Sequence, residues 1–286
     1  MRKMNLNGMK FLIKFLLNTF SRKLLISLSI KLRPLFNILF SGDKYIDPIN
    51  EKSYSKFFPY GYNKTRRNAL SLGTLSLERH RLLWLYLKNE TSFFNRNNKI
   101  LHVAPEQCFY DYFKKHFENY FTADLNSPLA EYKVDVCDLP FQSDSFDFVL
   151  CNHVLEHVYD DELAIKELHR VLKKKGVAIL QVPINLEISE TIDGRDIKDG
   201  KKRNELFGQY DHLRTYGKDF FKKIRIFKNV KYIWGGKSFK GIDCSGLIQV
   251  VLNFNNHIES KLNKQQVKNF LEVAECIMKE LSLIHI

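Results

Sequence analysis

Between residues 99 and 182, short apolar runs alternate with helix-like and polar stretches, and this alternation constrains the fold more than any other feature of the chain. The runs are residues 99–103, 119–124, 133–136, 146–151 and 176–182. A helix is expected at 111–117 and a charged amphipathic one at 160–171. Apolar strands separated by helices predict a Rossmann-like α/β fold, doubly wound, with a mostly parallel sheet covered on both faces. In such sheets a ligand binds where the loops converge at the carboxyl ends of the strands. Those ends carry Glu106, Asp124, Asp138 and Asn152.

The spacing narrows the ligand. Asp124 ends the second run twenty-one residues after Val103, where a dinucleotide-type fold places the acid that holds a ribose diol. A carboxylate suits a diol because it accepts two hydroxyl hydrogen bonds. The glycine-rich turn that lets a pyrophosphate approach the backbone is missing after Val103. NAD and FAD are therefore disfavoured, and a ligand with adenine and ribose but no phosphate is favoured. S-adenosylmethionine is one.

The motifs Leu101-His-Val-Ala-Pro-Glu106, Asp138-Leu-Pro-Phe141, Ser145-Phe-Asp147, Asn152-His-Val-Leu-Glu-His-Val158 and Glu167-Leu-His-Arg-Val-Leu172 resemble those of class I S-adenosylmethionine-dependent methyltransferases. More narrowly, they resemble a bacterial branch with Ala-Pro-Glu in place of the glycine loop, and the likeness continues through Phe207-Gly-Gln-Tyr-Asp-His212 and Arg214-Thr-Tyr-Gly217. It covers roughly residues 44–225. The resemblance implies that His102, Ala104, Pro105 and Glu106 line the methionine end of S-adenosylmethionine. Asp124 with Leu125 would hold the ribose, Asp138 and Leu139 would meet adenine, and Asn152 would close the floor. His153 and His212 are the catalytic candidates, and His157, Asp211 and Arg214 the substrate candidates. His153 and His157, four apart, could lie on one face of a helical turn; capping and packing of the strand end is the other reading of both. Glu156 with His157 lacks a two-histidine helix spacing and a third ligand, so no metal is expected there.

The net charge of +13 is unevenly placed: eight Lys or Arg and no acid precede Asp43. A basic excess points to an anionic partner. Residues 1–40 hold no uncharged run long enough to span a bilayer, and no signal-peptide pattern. Lys10, Lys14, Asn18, Ser21 and Arg22 form one helical stripe beside Phe11, Leu12, Phe15, Leu16, Phe20 and Leu24, as in a helix lying in a membrane interface. Packing on the core or a partner is the alternative. Five cysteines with no Cys-x-x-Cys pair suit a reducing compartment. The expected location is cytoplasmic, peripheral at the inner face of the membrane.

Four units are expected: a basic amphipathic segment at 1–43, a small unit at 44–77, the main domain at 78–229 and an atypical segment at 230–286. In the family resembled, the second unit is a zinc ribbon with two Cys-x-x-Cys pairs. Here Asp47, Asn50, Ser71 and Thr74 occupy those places, so a degenerate ribbon without zinc is expected. Glu78, Arg79, His80 and Arg81 are read as solvated, with pairing to acids at the cofactor mouth as the alternative. Residues 186–217 read as a substrate-facing lid. The stretch around Asp243-Cys244-Ser245 resembles the nucleophile segment of NlpC-type cell-wall cysteine peptidases. Only His257 and His285 follow Cys244, and a working peptidase is not expected. Residues 281–286 resemble a translated transposon end, and a chimeric origin is expected for this segment. Alternatively, 224–234 and 247–254 supply the last two strands.

Three functions are open to these residues: methyl transfer to a small molecule or a cell-surface glycan precursor, methylation of nucleic acid, and a degenerate, non-catalytic scaffold. The charge is concentrated before residue 44 and no base-flipping motif is visible, so nucleic acid is disfavoured as a partner.

Overall fold

The computed structural model describes residues 19–61, 65–229 and 231–233. Its centre is a five-stranded, all-parallel sheet of β5 (Ile100–Val103), β6 (Tyr120–Ala123), β7 (Phe146–Asn152), β8 (Leu172–Gln181) and β11 (Lys231–Ile233), in the order β11-β8-β7-β5-β6. After β5 the chain runs first to β6 on one side and then to β7 on the other. The strand order thus reverses at β5, and the crevice between β5 and β7 is the switch point where such folds place ligands.

Side chains alternate across the sheet, as strand geometry requires. Leu101, Val103, Val149, Cys151, Ala178 and Leu180 pack on one face against Ala164, Ile165 and Leu168 of α4 (Asp161–Val171) and against Tyr216, Phe220 and Phe227. Ile100, Phe148, Leu150, Val177 and Ile179 pack on the other against α2 (Glu78–Glu90) and α3 (Gln107–His116). There Trp84 stacks on Phe113 at 5.9 Å between centroids. Fully burying side chains of this size stabilises by about 1.5–3 kcal/mol each.

Two expectations need correction. The first helix begins at Gln107, four residues before the expected Asp111, because buried Pro105 and extended Glu106 set its start and bring Phe109 into the core. The run 133–136 forms no strand. Backbone pairing with the sheet ends just before it, at an isolated bridge between Ala123 and Tyr132, after which the Asp135 carboxylate caps Cys137 N–H and its carbonyl accepts Asp138 N–H, turning the chain away.

Ahead of the sheet, α1 (Arg22–Leu39) lies along α3: Arg33 pairs with Asp111 at 2.6 Å, and Gln107 donates to Ser29 at 2.6 Å. Its other face leaves Leu24, Leu28, Leu35, Ile38 and Leu39 exposed. The cationic stripe through Lys10, Lys14 and Asn18 lies outside the described residues, and Ser21 is the helix N-cap. Two antiparallel hairpins follow, β1 (Ser41–Asp47) with β2 (Lys52–Tyr54) and β3 (Phe58–Tyr60) with β4 (Arg66–Leu70). Beyond β8, an excursion contains β9 (Ile192–Asp193), α5 (Gly200–Phe207) and β10 (Arg214–Thr215), with β9 and β10 antiparallel. Gly208 ends α5 at φ +77°, a left-handed C-cap that favours glycine. Helix α6 (Phe220–Lys223) and a 3-10 turn (Ile224–Asn229) lead to β11. Part of the expected 224–234 strand is thus helical. Cys244, His257, His285 and the 247–254 run lie outside the described residues. Among the described residues no helix is long and apolar enough to cross a membrane.

Candidate active site

At the carboxyl end of β5 the backbone bends at Ala104 (φ +50°), and at the end of β7 it bends at His153 (φ +53°). Left-handed conformations at non-glycine residues cost free energy and concentrate where a site demands them. Ala104 therefore makes the turn that a glycine would make, and its N–H donates to Ala123 O at 2.8 Å.

Glu106, set over this crevice as the N-cap of α3, is the centre of a directed chain of donors. The Tyr120 hydroxyl donates to His102 Nδ1 at 2.8 Å, His102 Nε2 donates to Glu106 Oε2, and Asn152 Nδ2 donates to Glu106 Oε1 at 3.0 Å. Burial alone would raise the Glu106 pKa, but the N–H of His102 aimed at its carboxylate, with help from His80 and Asn152, holds it down at about 2. Burial pushes the Tyr120 phenol well up, so it remains a donor. The result is an ionised carboxylate with lone pairs to spare, at the positive end of a helix.

Around it sit polar atoms that the protein does not satisfy. Asn152 Oδ1, His153 Nε2, Glu156 Oε2 and His80 Nε2 are all buried without a partner. His80, expected in solvent, is 8% exposed; its Nδ1 accepts the Leu77 N–H at 3.1 Å, so Nε2 carries the proton. Burial, reinforced by Arg79, lowers its pKa to about 3. Arg81 is buried as well and spends its guanidinium on Ser76 O and Ala69 O, while Glu78 pairs with Arg66. The solvated reading of this helix start fails because α2 packs its first turn inward, against Phe109. Sequence reasoning missed His80 for this reason; its position three after the apolar Leu77 and three before Leu83 was the available signal.

The remaining candidates have varied occupations. Asp124 Oδ1 caps the N–H groups of Asn126 and Ser127, and Oδ2 has no protein donor among the described residues. Leu125 projects into solvent at 58% exposure, and Asp138 is exposed. Leu139 is a different case: its side chain is in the core and its N–H goes to Glu167 Oε2 at 3.1 Å, while Arg170 grips Leu139 O and Phe141 O. It is thus a clamped core residue and offers adenine neither a free amide nor a free side chain.

On the opposite bank, His153 Nδ1 lies 3.2 Å from Glu156 Oε1. A carboxylate accepts, so Nδ1 carries a proton and Nε2 is the ring nitrogen left without a partner. The excursion after β8 is stitched to this bank, with Leu213 N–H donating to Glu156 O at 2.8 Å. His157 Nδ1 meets Asp211 O at 3.1 Å, and the His157 and His212 rings stand 4.9 Å apart. Burial lowers the His212 pKa. Arg214, read as a substrate residue, is fully buried. It donates to the carbonyls of Leu155, Val158 and Tyr159, which makes it the rivet holding the excursion to the turn after β7.

Comparison with known proteins gives this arrangement a context. Residues 99–180 match the family model described as "Methyltransferase domain", and residues 229–280 match the one described as "NlpC/P60 family". Two curated proteins of Methanocaldococcus jannaschii are similar over short stretches. Uncharacterized protein MJ1123 is 31% identical over 94 residues, covering 33% of this chain and 44% of that protein. Uncharacterized protein MJ0638 is 45% identical over 56 residues, covering 19% and 24%. The matches thus span less than half the length of these relatives. Among solved structures, YcgJ from Bacillus subtilis is 18% identical, covering 52% of this chain and 67% of that one, with a TM-score of 0.39. An S-adenosylmethionine dependent methyltransferase from Mesorhizobium loti is 17% identical, covering 50% and 78%, with a TM-score of 0.37. The [4+2]-cyclase SpnF is 12% identical, covering 91% and 92%, with a TM-score of 0.41. These likenesses say nothing of substrate.

Proposed function

We propose, with residues 99–180 as the methyltransferase domain that they match, that the chain transfers a methyl group to a small molecule or a cell-surface glycan precursor. S-adenosylmethionine is its methyl donor, and when bound it supplies an electrophilic methyl on a sulfonium. The observation that carries the reading is the ionised Glu106 set among unpartnered polar atoms at the β5–β7 switch point. Buried polar groups in proteins are ordinarily satisfied, and those left over here suit a zwitterionic amino-acid end. Glu106 and Asn152 Oδ1 accept from an ammonium, and His80 Nε2–H donates to a carboxylate. His102 holds Glu106 in place, and Ala104 and Pro105 shape the turn beside it. Asp124 Oδ2 accepts the ribose hydroxyls, Leu125 covers the pocket from outside, and Asp138 accepts from the adenine edge.

In this reading His153, oriented by Glu156, removes the acceptor's proton through Nε2. His157, Asp211 and His212 face the acceptor, with the excursion of 186–217 as its cover. The acceptor class rests on the family resemblance, an associational warrant. A site of work at an anionic membrane face is supported by the exposed apolar stripe of α1 and the basic excess before Asp43. The test is a methyl-transfer assay with labelled donor against extracted glycan precursors, small-molecule pools and nucleic acid. His153→Gln should lower kcat by about 10²-fold or more, the usual share of a general base, with donor affinity unchanged. Transfer to nucleic acid alone would sink the acceptor class, and transfer unaffected by His153→Gln would sink the assignment of the base.

A further inference from the structure

The turn after β7 and the excursion after β8 bring together three side chains that donor binding does not use. Glu156 is 1% exposed, with one oxygen on His153 and the other, Oε2, buried without a partner. His157 is tied through Nδ1 to the Asp211 carbonyl. A carbonyl can only accept, so Nδ1 holds the proton and Nε2 presents its lone pair. His212 is 6% exposed and faces His157 with its ring at 81°. One ligand atom from each residue lies within 4.8 Å of the other two.

We propose that Glu156, His157 and His212 bind a divalent transition-metal cation. Two imidazoles and a carboxylate form the borderline donor set that zinc and its neighbours take. The supporting contacts are of the kind that metal ligands need: the Asp211 carbonyl fixes the His157 tautomer, and His153 orients the Glu156 carboxylate. A cation also gives the unpartnered Oε2 its partner. Three protein ligands leave a coordination position open, and it lies on the bank assigned to the acceptor, so an acceptor oxygen such as a hydroxyl or carboxylate suits it. The sequence, which shows Glu156 and His157 adjacent, hides the third ligand, because His212 arrives from 55 residues away through the Arg214 rivet.

The cation site itself does not depend on the methyl-transfer reading; the place of an acceptor oxygen on it does. The test uses the full chain stripped of metal by a chelator and titrated with Co²⁺, followed by visible absorption, with Zn²⁺ in competition. One equivalent should bind with the d–d bands of a nitrogen–oxygen site and be displaced by Zn²⁺. Glu156→Gln and His157→Ala should each weaken binding at least tenfold; His157 is exposed, so its variant should keep the fold. Thr74→Val, in the hairpin unit, should leave binding unchanged. No saturable cobalt spectrum, or one that survives both Glu156→Gln and His157→Ala, overturns the proposal.

Discussion

The hairpin unit and the mouth of the sheet both bury an acid among hydroxyls, amides and basic side chains, yet only one of them closes on itself. In the hairpins, buried Asp47 accepts Ile49 N–H through Oδ1, and the hydroxyls of Thr74 (2.6 Å) and Ser76 (3.2 Å) through Oδ2. Arg81 braces Ser76, and Asn50 donates to Tyr54, whose hydroxyl donates to Asn37 of α1. Ser71 Oγ is the exception, buried without a partner. At the mouth, four polar atoms on His80, Asn152, His153 and Glu156 are left over. A polar cluster that satisfies itself specifies structure, whereas one that does not is a seat for a ligand.

The contrast can be broken most forcefully at Asp47. Asp47→Ala strands two hydroxyls and a backbone N–H and should cost about 3 kcal/mol of stability by denaturant unfolding. Donor affinity of the folded protein should stay unchanged. Zinc analysis of untagged protein should find no metal that this substitution releases, because Asp47, Asn50 and Thr74 are hydrogen-bonded to one another or to their neighbours in place of a cation, and a lone Ser71 hydroxyl is no zinc site.

Asp124→Ala sharpens the other side of the comparison. It should weaken donor binding by about 2 kcal/mol, the scale of hydrogen bonds to a charged group, and cost less than that in stability, because only a turn cap is lost. Calorimetric titration of the variant checks it, and unchanged affinity would remove Asp124 from the ribose.

These two regions also differ in how much of them the sequence disclosed. The sheet was legible because residues 99–103, 146–151 and 176–182 are short, mostly apolar runs separated by helix-like stretches, the pattern of covered parallel strands. Glu106 and Asn152 were legible as strand-end residues. The strand at 133–136 was not real, because Asp135 and Asp138 favour a local turn over pairing. What the sequence hid depended on long-range packing: His80 and Arg81 read as surface charges until α2 turned them inward. Arg214 read as a substrate residue until three carbonyls from the 155–159 turn met it.

The smallest effect expected concerns His80. Its folded pKa, about 3, lies below the ordinary value of 6.5, so its contribution to stability is full above pH 6.5 and is lost as pH falls toward 3. The groups facing it are Arg79, Glu106, His153 and Arg81. From pH 7.5 to 5.5 this one group should remove about 1.4 kcal/mol. His80→Asn, which keeps an acceptor for Leu77 N–H, should flatten that part of the profile. A variant profile parallel to the wild type would show that His80 is protonated in the folded protein.

The central claim is that Glu106, with the unsatisfied Asn152 Oδ1 and His80 Nε2 beside it at the β5–β7 switch point, is the donor's seat. Isothermal titration of the full chain with S-adenosylhomocysteine, beside Glu106→Gln, tests it directly. One-to-one binding is predicted for the wild type, with affinity at least tenfold lower in Glu106→Gln, about 1.4 kcal/mol, and no comparable loss of stability. Equal affinity in the two proteins, or no binding by the wild type, would contradict it.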